Sequence, residues 1–279
     1  MREIDSATSD AVRHVALNRY SGATCEAAED AVAREEPLEI QVRGVPLAVV
    51  MRTPGHDGEL VRGFLVTERV VQDASAIVAV RHCRIVSEPD AEDNVVAVSL
   101  REDVPLDLEA LRRNFLATAS CGVCGKATIE RAVAVAPPIE DEVRFAPEFF
   151  EGVAQRLVGG QPVFAHTGGL HAAGLFAPDG RLLVVREDVG RHNAVDKVIG
   201  WAAERGRLPL SGHVLMVSGR ISFEIAQKAL AARLPAVAAV SAPSSLAVEL
   251  AESAGLTLIG FLRGRRFNVY GRRERVVTC

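Results

Sequence analysis

The feature that most constrains this chain is a strict alternation toward its carboxyl end. Strand-like apolar runs at 213–217, 236–241 and 256–261 are separated by helix-like stretches at 222–234 and 244–254, with short turns between them. Strand–helix–strand–helix–strand spacing this tight dictates parallel pairing and right-handed crossovers. In such a sheet the turns that leave the carboxyl ends of the strands share one edge, where ligands collect against the helix N-termini. Those turns are Ser218-Gly219-Arg220-Ile221-Ser222, Ser241-Ala-Pro-Ser-Ser245 and Arg263-Gly264-Arg265-Arg266. Each alone reads as an ordinary cap or chain reversal. Three on one edge, carrying Arg220, Arg263, Arg265 and Arg266, suit a pyrophosphate or nucleotide. No Walker loop or G-x-G-x-x-G is present, so ordinary ATP or NAD binding has no support.

Upstream of this run, Phe150, Val153 and Leu157 mark one face of a helix that stops at Gly159-Gly160. Residues 172–177 and 181–186 read as a hairpin around Pro178-Asp-Gly, and 190–204 as a helix. Phe164-Ala-His-Thr-Gly-Gly-Leu-His171 reads as a loop, either with one buried histidine or against a ligand. Arg186-Glu-Asp-Val-Gly-Arg-His-Asn-Ala-Val-Asp-Lys197 is denser in polar groups. A solvated helix start accounts for Glu187 and Asp188. It accounts less well for Arg191, His192 and Asn193, which together could orient a heterocycle or tune a thiol.

The first half has another texture. Residues 39–43 alternate polar and apolar, 45–51 return, and strands are expected again at 77–86 and 94–100. Between them Asp57 caps a helix with Leu60, Val61, Phe64 and Leu65 on its apolar face. Residues 1–33 contain few large apolar side chains and read as a weakly ordered arm. Ala136-Pro-Pro-Ile-Glu-Asp-Glu142 is the natural boundary. The expected organisation is an arm over 1–33, a smaller antiparallel β-rich domain over 34–140, and an α/β domain over 141–279, making an α/β (α+β overall) chain.

With 279 residues, 48% of them hydrophobic and 24% charged, the chain can bury a core, and its net charge of −4 provides no global basic field for nucleic acid. The polar start, Met1-Arg-Glu-Ile-Asp-Ser6, and the lack of any run of about 18 apolar residues point to a cytoplasmic protein with no membrane span. Five cysteines, an odd number, argue against a disulfide framework in that compartment. Two of them form Cys121-Gly-Val-Cys124-Gly-Lys126, where glycines keep the sulfurs accessible and Lys126 favours thiolate. A structural zinc would need a second ligand pair at zinc-finger spacing. A deaminase zinc would need an upstream H-x-E and a proline at position 120, which is serine. A thioredoxin-like pair would sit near a β-α-β unit, which this pair instead precedes. Reactive thiol chemistry is favoured and no metal is assigned.

These residues resemble the formate dehydrogenase accessory sulfurtransferase family, FdhD. The likeness runs from about residue 36 to 271 and rests on several motifs in order. They are Arg52-Thr-Pro-Gly-His-Asp57, Ser120-Cys-Gly-Val-Cys-Gly-Lys126, Thr167-Gly-Gly-Leu-His171, the 186–197 stretch, Val217-Ser-Gly-Arg220, Ser241-Ala-Pro-Ser-Ser-Leu-Ala247 and Arg266-Phe-Asn-Val-Tyr270. The resemblance implies a cytidine-deaminase-like three-layer α/β domain without the zinc. It implies a sulfurtransferase that accepts persulfide sulfur from a cysteine desulfurase on Cys121, with Cys124 sharing or relaying it. The sulfur would pass to the molybdenum bis(molybdopterin guanine dinucleotide) cofactor, a bound substrate destined for the formate dehydrogenase catalytic subunit. It places cofactor binding on Phe261, Leu262, Arg263, Gly264, Arg265 and Arg266, the same arginine turn read from strand order, and it implies a homodimer. Ser218, Gly219, Arg220, Ser241, His171, Arg191 and His192 complete the expected binding edge. Two alternatives stay open: a non-catalytic chaperone that only binds the cofactor, and a zinc hydrolase of deaminase type.

Overall fold

The computed structural model describes residues 10–83, 93–106 and 137–277. The Cys121/Cys124 loop and Cys279 lie outside the described residues.

Residues read as a weakly ordered arm form an antiparallel hairpin, β1 (Val12–Ser21) and β2 (Thr24–Ala33). Short side chains such as Ala16, Ala27, Ala28 and Ala31 mute its hydrophobic signal, but the backbone ladder does not depend on them. Ser21 pairs with Thr24, and the two-residue loop opens on Gly22 at φ +60, a conformation glycine adopts at no steric cost. The hairpin base is fixed by Arg34 N donating to Ala11 O at 2.9 Å, and by Ala11 packing with Val163 and Leu170.

A four-stranded sheet follows, in the order β4-β3-β6-β5, from β3 (Glu36–Val42), β4 (Val45–Arg52), β5 (Ile77–His82) and β6 (Val95–Leu100). It is not wholly antiparallel as expected, because β3 and β6 pair in parallel. The reason is helix α1 (Asp57–Thr67), which carries the chain from β4 across to the far edge. There β5 starts in the direction of β4, and β6, reversing, drops into the gap beside β3. Leu38, Ile40, Val42, Val96 and Val98 alternate inward with Leu60, Val61 and Leu65 of α1 in one core.

Two short helices, α2 (Val153–Gly159) and α3 (Pro162–Thr167), lead into the larger sheet. The stretch expected as a loop at 164–171 is therefore half helical, because Pro162 opens α3 and Gly168, at φ +64, ends it. The six strands are β7 (His171–Phe176), β8 (Leu182–Asp188), β9 (Val214–Val217), β10 (Ala236–Ala239), β11 (Thr257–Arg263) and β12 (Arg266–Gly271), in the order β12-β11-β10-β9-β7-β8. The central three, β9, β10 and β11, are parallel as the alternation requires, joined through α5 (Phe223–Ala231) and α6 (Ser245–Ala254). Helix α4 (Arg191–Glu204) joins β8 to β9.

Period-two alternation sends Leu215 and Val217 of β9 to one face and Val214 and Met216 to the other. The first face packs on α4, α5 and α6, and behind α4 lies α1 with the smaller sheet, forming one continuous core. The second face is closed by α2 and the rings of Phe145, Phe150 and Phe267. Helices α1 and α4 touch through glycine: a Cβ on Gly63 would meet Asp196 O, and one on Gly200 would meet Glu59 O. Among the described residues no helix is long and apolar enough to cross a membrane.

Candidate functional site

The three turns singled out in the sequence leave the carboxyl ends of β9, β10 and β11, which are adjacent strands, so they share one edge. Backbone bonds stitch the first two together: Ile221 N donates to Ala242 O at 3.1 Å and Ser244 N to Ile221 O at 2.9 Å. The third is tied in by Phe261 N donating to Ser241 O at 3.0 Å. Phe261 is forced to φ +57 where the β11–β12 ladder shifts register, and its ring stays 45% exposed. Left-handed backbone costs a non-glycine residue about 1–2 kcal/mol. Arg263 pairs with Arg266 across a two-residue loop whose first residue, Gly264, takes φ +59. This is a hairpin turn, and strand β12, which the sequence reading missed, continues from it.

The arginines are exposed. Arg265 lies 3.3 Å from Glu151, with most of its side chain in solvent. Leu262 alternates inward, is 1% exposed and packs with Ile259 and Met216, so only its backbone could meet a ligand.

His171, the first residue of β7, joins this edge because β7 runs antiparallel to β9. Ser218 N donates to Ala172 O at 2.9 Å, and Ala172 N donates to Ser218 Oγ at 2.8 Å. The His171 ring lies against Gly219, where a Cβ would come within 3.5 Å of Nδ1. Burial and the Arg191 guanidinium lower the His171 pKa against the pull of Asp188. A cavity of about 440 Å³ opens here, with His171, Ser218, Val240, Gly169, Leu170 and Phe164 on its walls.

Arg191 and His192 come from the first turn of α4, whose N-cap Gly190 supplies no side chain. Burial first, then Arg191 and Lys228, push His192 down to about 4, so its ring is neutral near pH 7. Arg191 Nε and His192 Nε2 are buried without a hydrogen-bond partner. Buried polar atoms of native proteins are nearly always paired, so these two nitrogens have capacity left for a ligand or an ordered water. Glu224, in the first turn of α5, puts Oε2 3.9 Å from His192 Nε2. The sequence reading missed Glu224, because an acid in a first helical turn reads as a partner for the helix dipole.

Glu187 and Asp188 are not part of a solvated helix start. The Glu187 carboxylate accepts from the N–H groups of Val163 and Phe164 at the head of α3, at 3.0 and 2.7 Å. Asp188 is fully buried, 2.7 Å from Lys197 Nζ, and accepts from Thr53 N and Asn193 Nδ2. These residues weld the Arg52–Asp57 motif to β8 and α4. Within that motif, buried Arg52 donates to both Asp57 oxygens at 3.1 and 3.0 Å. His56, at φ +59, lies 3.6 Å from Glu59, which Arg186 holds. This motif lines a second cleft, of about 690 Å³, on the side of Arg34, His82 and Pro162. Among the described residues no group of three or more His, Cys, Asp or Glu could hold a metal ion.

A sequence model of the FdhD/NarQ family matches residues 33–277. The chain belongs to that family. Relatives in it include the sulfur carrier protein FdhD of Mycobacterium tuberculosis, 52% identical over 254 residues, covering 88% of this chain and 92% of the relative. The protein of that name from Streptomyces coelicolor is 51% identical, covering 88% and 89%. That from Anaeromyxobacter dehalogenans is 44% identical, covering 97% and 96%. A crystal structure from Desulfotalea psychrophila, described as a putative formate dehydrogenase accessory protein, has a similar fold, with a TM-score of 0.75, 24% identity, and 95% and 99% of the two chains covered.

Proposed function

We propose that this chain is a sulfurtransferase of formate dehydrogenase maturation, with the sulfur carried on Cys121 as a persulfide. The observation that carries this reading is membership of the FdhD/NarQ family across residues 33–277, together with a relative 52% identical that is named as a sulfur carrier. The Cys121-Gly-Val-Cys124 pair supplies the chemistry. The Cys121 thiolate attacks the outer sulfur of a cysteine desulfurase persulfide. The new S–S bond forms on Cys121 as the old one breaks, and the desulfurase leaves as its own thiolate. No external oxidant is needed, because the outer sulfur already carries the oxidation level.

The substrate that receives this sulfur is the molybdenum bis(molybdopterin guanine dinucleotide) cofactor, and its recipient is the formate dehydrogenase catalytic subunit. Support for the guanine nucleotide comes from the edge described above. Ser218, Ser241, the exposed arginines at 220, 263, 265 and 266, and the first turn of α4 with Arg191 and His192 all lie at the carboxyl edge of the parallel strands. Arg and helix-start N–H groups suit phosphate oxygens. Holding the cofactor there raises the effective concentration of the reacting sulfur. A homodimer in the cytoplasm completes the reading. The cytidine-deaminase-like assignment of the α/β half draws support from its antiparallel pair followed by three parallel strands in one sheet.

Mass spectrometry after incubation with a cysteine desulfurase and cysteine tests the proposal. Wild type should gain 32 Da per added sulfur, roughly the mass of one sulfur atom. Cys121→Ala should lose that label and Cys124→Ala should retain it. No label on either cysteine in wild type would favour a chaperone that binds the cofactor without carrying sulfur.

A further inference from the structure

Glu224 is the one feature of the binding edge that neither sequence reading nor family membership assigns. Its side chain is 55% exposed. Among the described residues no lysine or arginine nitrogen lies within ion-pair distance of it, whereas Glu36, Glu59 and Glu68 each have such a partner. Burial acts to raise Glu224, but Ser222, its own backbone amide, His192 and Arg191 outweigh it and hold the carboxyl below the usual range. The result is an ionised, reachable carboxylate at the head of α5. His192 Nε2 lies 3.9 Å from its Oε2, and the Arg191 guanidinium is near enough to act on it electrostatically; Arg191 Nε and His192 Nε2 are both without a hydrogen-bond partner. One patch therefore offers two adjacent acceptor oxygens near an arginine donor and a neutral imidazole nitrogen that donates or accepts according to its tautomer.

Few heterocycles match that order of groups. The pairing edge of guanine carries two adjacent donors, N1–H and the N2 amino group, which fit the two oxygens of one carboxylate. Next to them are the acceptors O6 and N7, which fit an arginine. Adenine presents a lone pair at N1, which would face a carboxylate oxygen, and has no N2 amino group.

We propose that Glu224 reads the guanine base, accepting from N1–H and the N2 amino group, while Arg191 and His192 serve the O6/N7 side. This inference rests on the reading above that the substrate is a guanine nucleotide, and names the residue that selects it. Charged hydrogen bonds of this kind discriminate, because the bound base covers the carboxylate and an analogue lacking the donors leaves it desolvated and unpaired.

Isothermal titration calorimetry of the full chain with GDP, ADP and xanthosine diphosphate separates the possibilities. Wild type should prefer GDP to ADP by at least about tenfold. Glu224→Gln should weaken GDP by roughly ten- to a hundredfold. The same variant should gain affinity for xanthosine diphosphate, because a carboxamide can accept from N1–H while donating to the O2 carbonyl that replaces the amino group. A gain of binding cannot come from misfolding. If wild type binds GDP and Glu224→Gln keeps the same ranking of the three nucleotides, Glu224 does not read the base and the nucleotide reading survives. If wild type binds no GDP, both fall together.

Discussion

His192 shows at the residue scale how this site is poised. It is flanked by Arg191 and Lys228 and opposed by Glu224 and Glu68, and burial is the largest influence keeping it neutral, with a pKa of about 4 against an ordinary 6.5. A histidine whose folded pKa is depressed takes up its proton in the unfolded chain first. Its contribution to stability is therefore intact above about pH 6.5 and is lost as pH falls toward 4. Urea unfolding of wild type should lose stability across that window. His192→Gln, which cannot titrate, should lose less over the same window, the carboxylate contributions being common to both proteins. Equal losses in the two proteins would remove His192 from the account. Much of this neighbourhood was legible beforehand: Arg191 and His192 stood out because a polar run between strand and helix has no packing reason to be there. Glu224 did not, because its meaning depends on α4 and α5 bringing their first turns together, which is tertiary information.

At the scale of elements, the contact of α1 with α4 depends on two glycines that no periodicity could flag. Gly200 abuts the Glu59 carbonyl so closely that a methyl group there has no room, and backbone on both sides cannot yield as a flexible side chain would. Gly200→Ala should cost at least about 1–3 kcal/mol of stability, the usual scale of overpacking. Gly159→Ala, at the end of α2 where a Cβ would meet nothing within 4 Å, should be neutral or slightly stabilising. Thermal unfolding of the pair checks this, and similar melting temperatures would mean that the helices can part without cost. The β9–α5–β10–α6–β11 run was readable because its strands are short, apolar on both faces and separated by helices with clear starts. Strand β12 was missed because Arg266-Phe-Asn-Val-Tyr alternates just after a turn already assigned to ligand binding. The β1–β2 hairpin was missed because alanines and charges on a solvated ladder give no period-two contrast.

Across the whole molecule, a buried ionic knot spans the contact between the two sheet layers. Lys228 Nζ of α5 donates to Thr67 Oγ1 at the end of α1 at 2.9 Å, to Asp196 of α4 at 2.9 Å and to Glu68 at 2.7 Å. Around it the apolar core runs without a break from Leu38 and Val98 of the smaller sheet to Val217 and Leu258 of the larger. Neither sheet can lose its helix face without exposing the other, so the described layers should unfold as one unit. Trp201, the single tryptophan of the chain, packs against this core from α4 and reports on the junction. Its fluorescence and the far-ultraviolet circular dichroism should therefore trace coincident transitions in urea. Lys228→Met should move both curves together to lower urea by an amount equivalent to about 3–5 kcal/mol, because it leaves the buried Asp196 carboxylate without its cation. A tryptophan transition that precedes the loss of secondary structure would mean the layers are held by separate cores, and the binding edge would then be carried by the larger sheet alone.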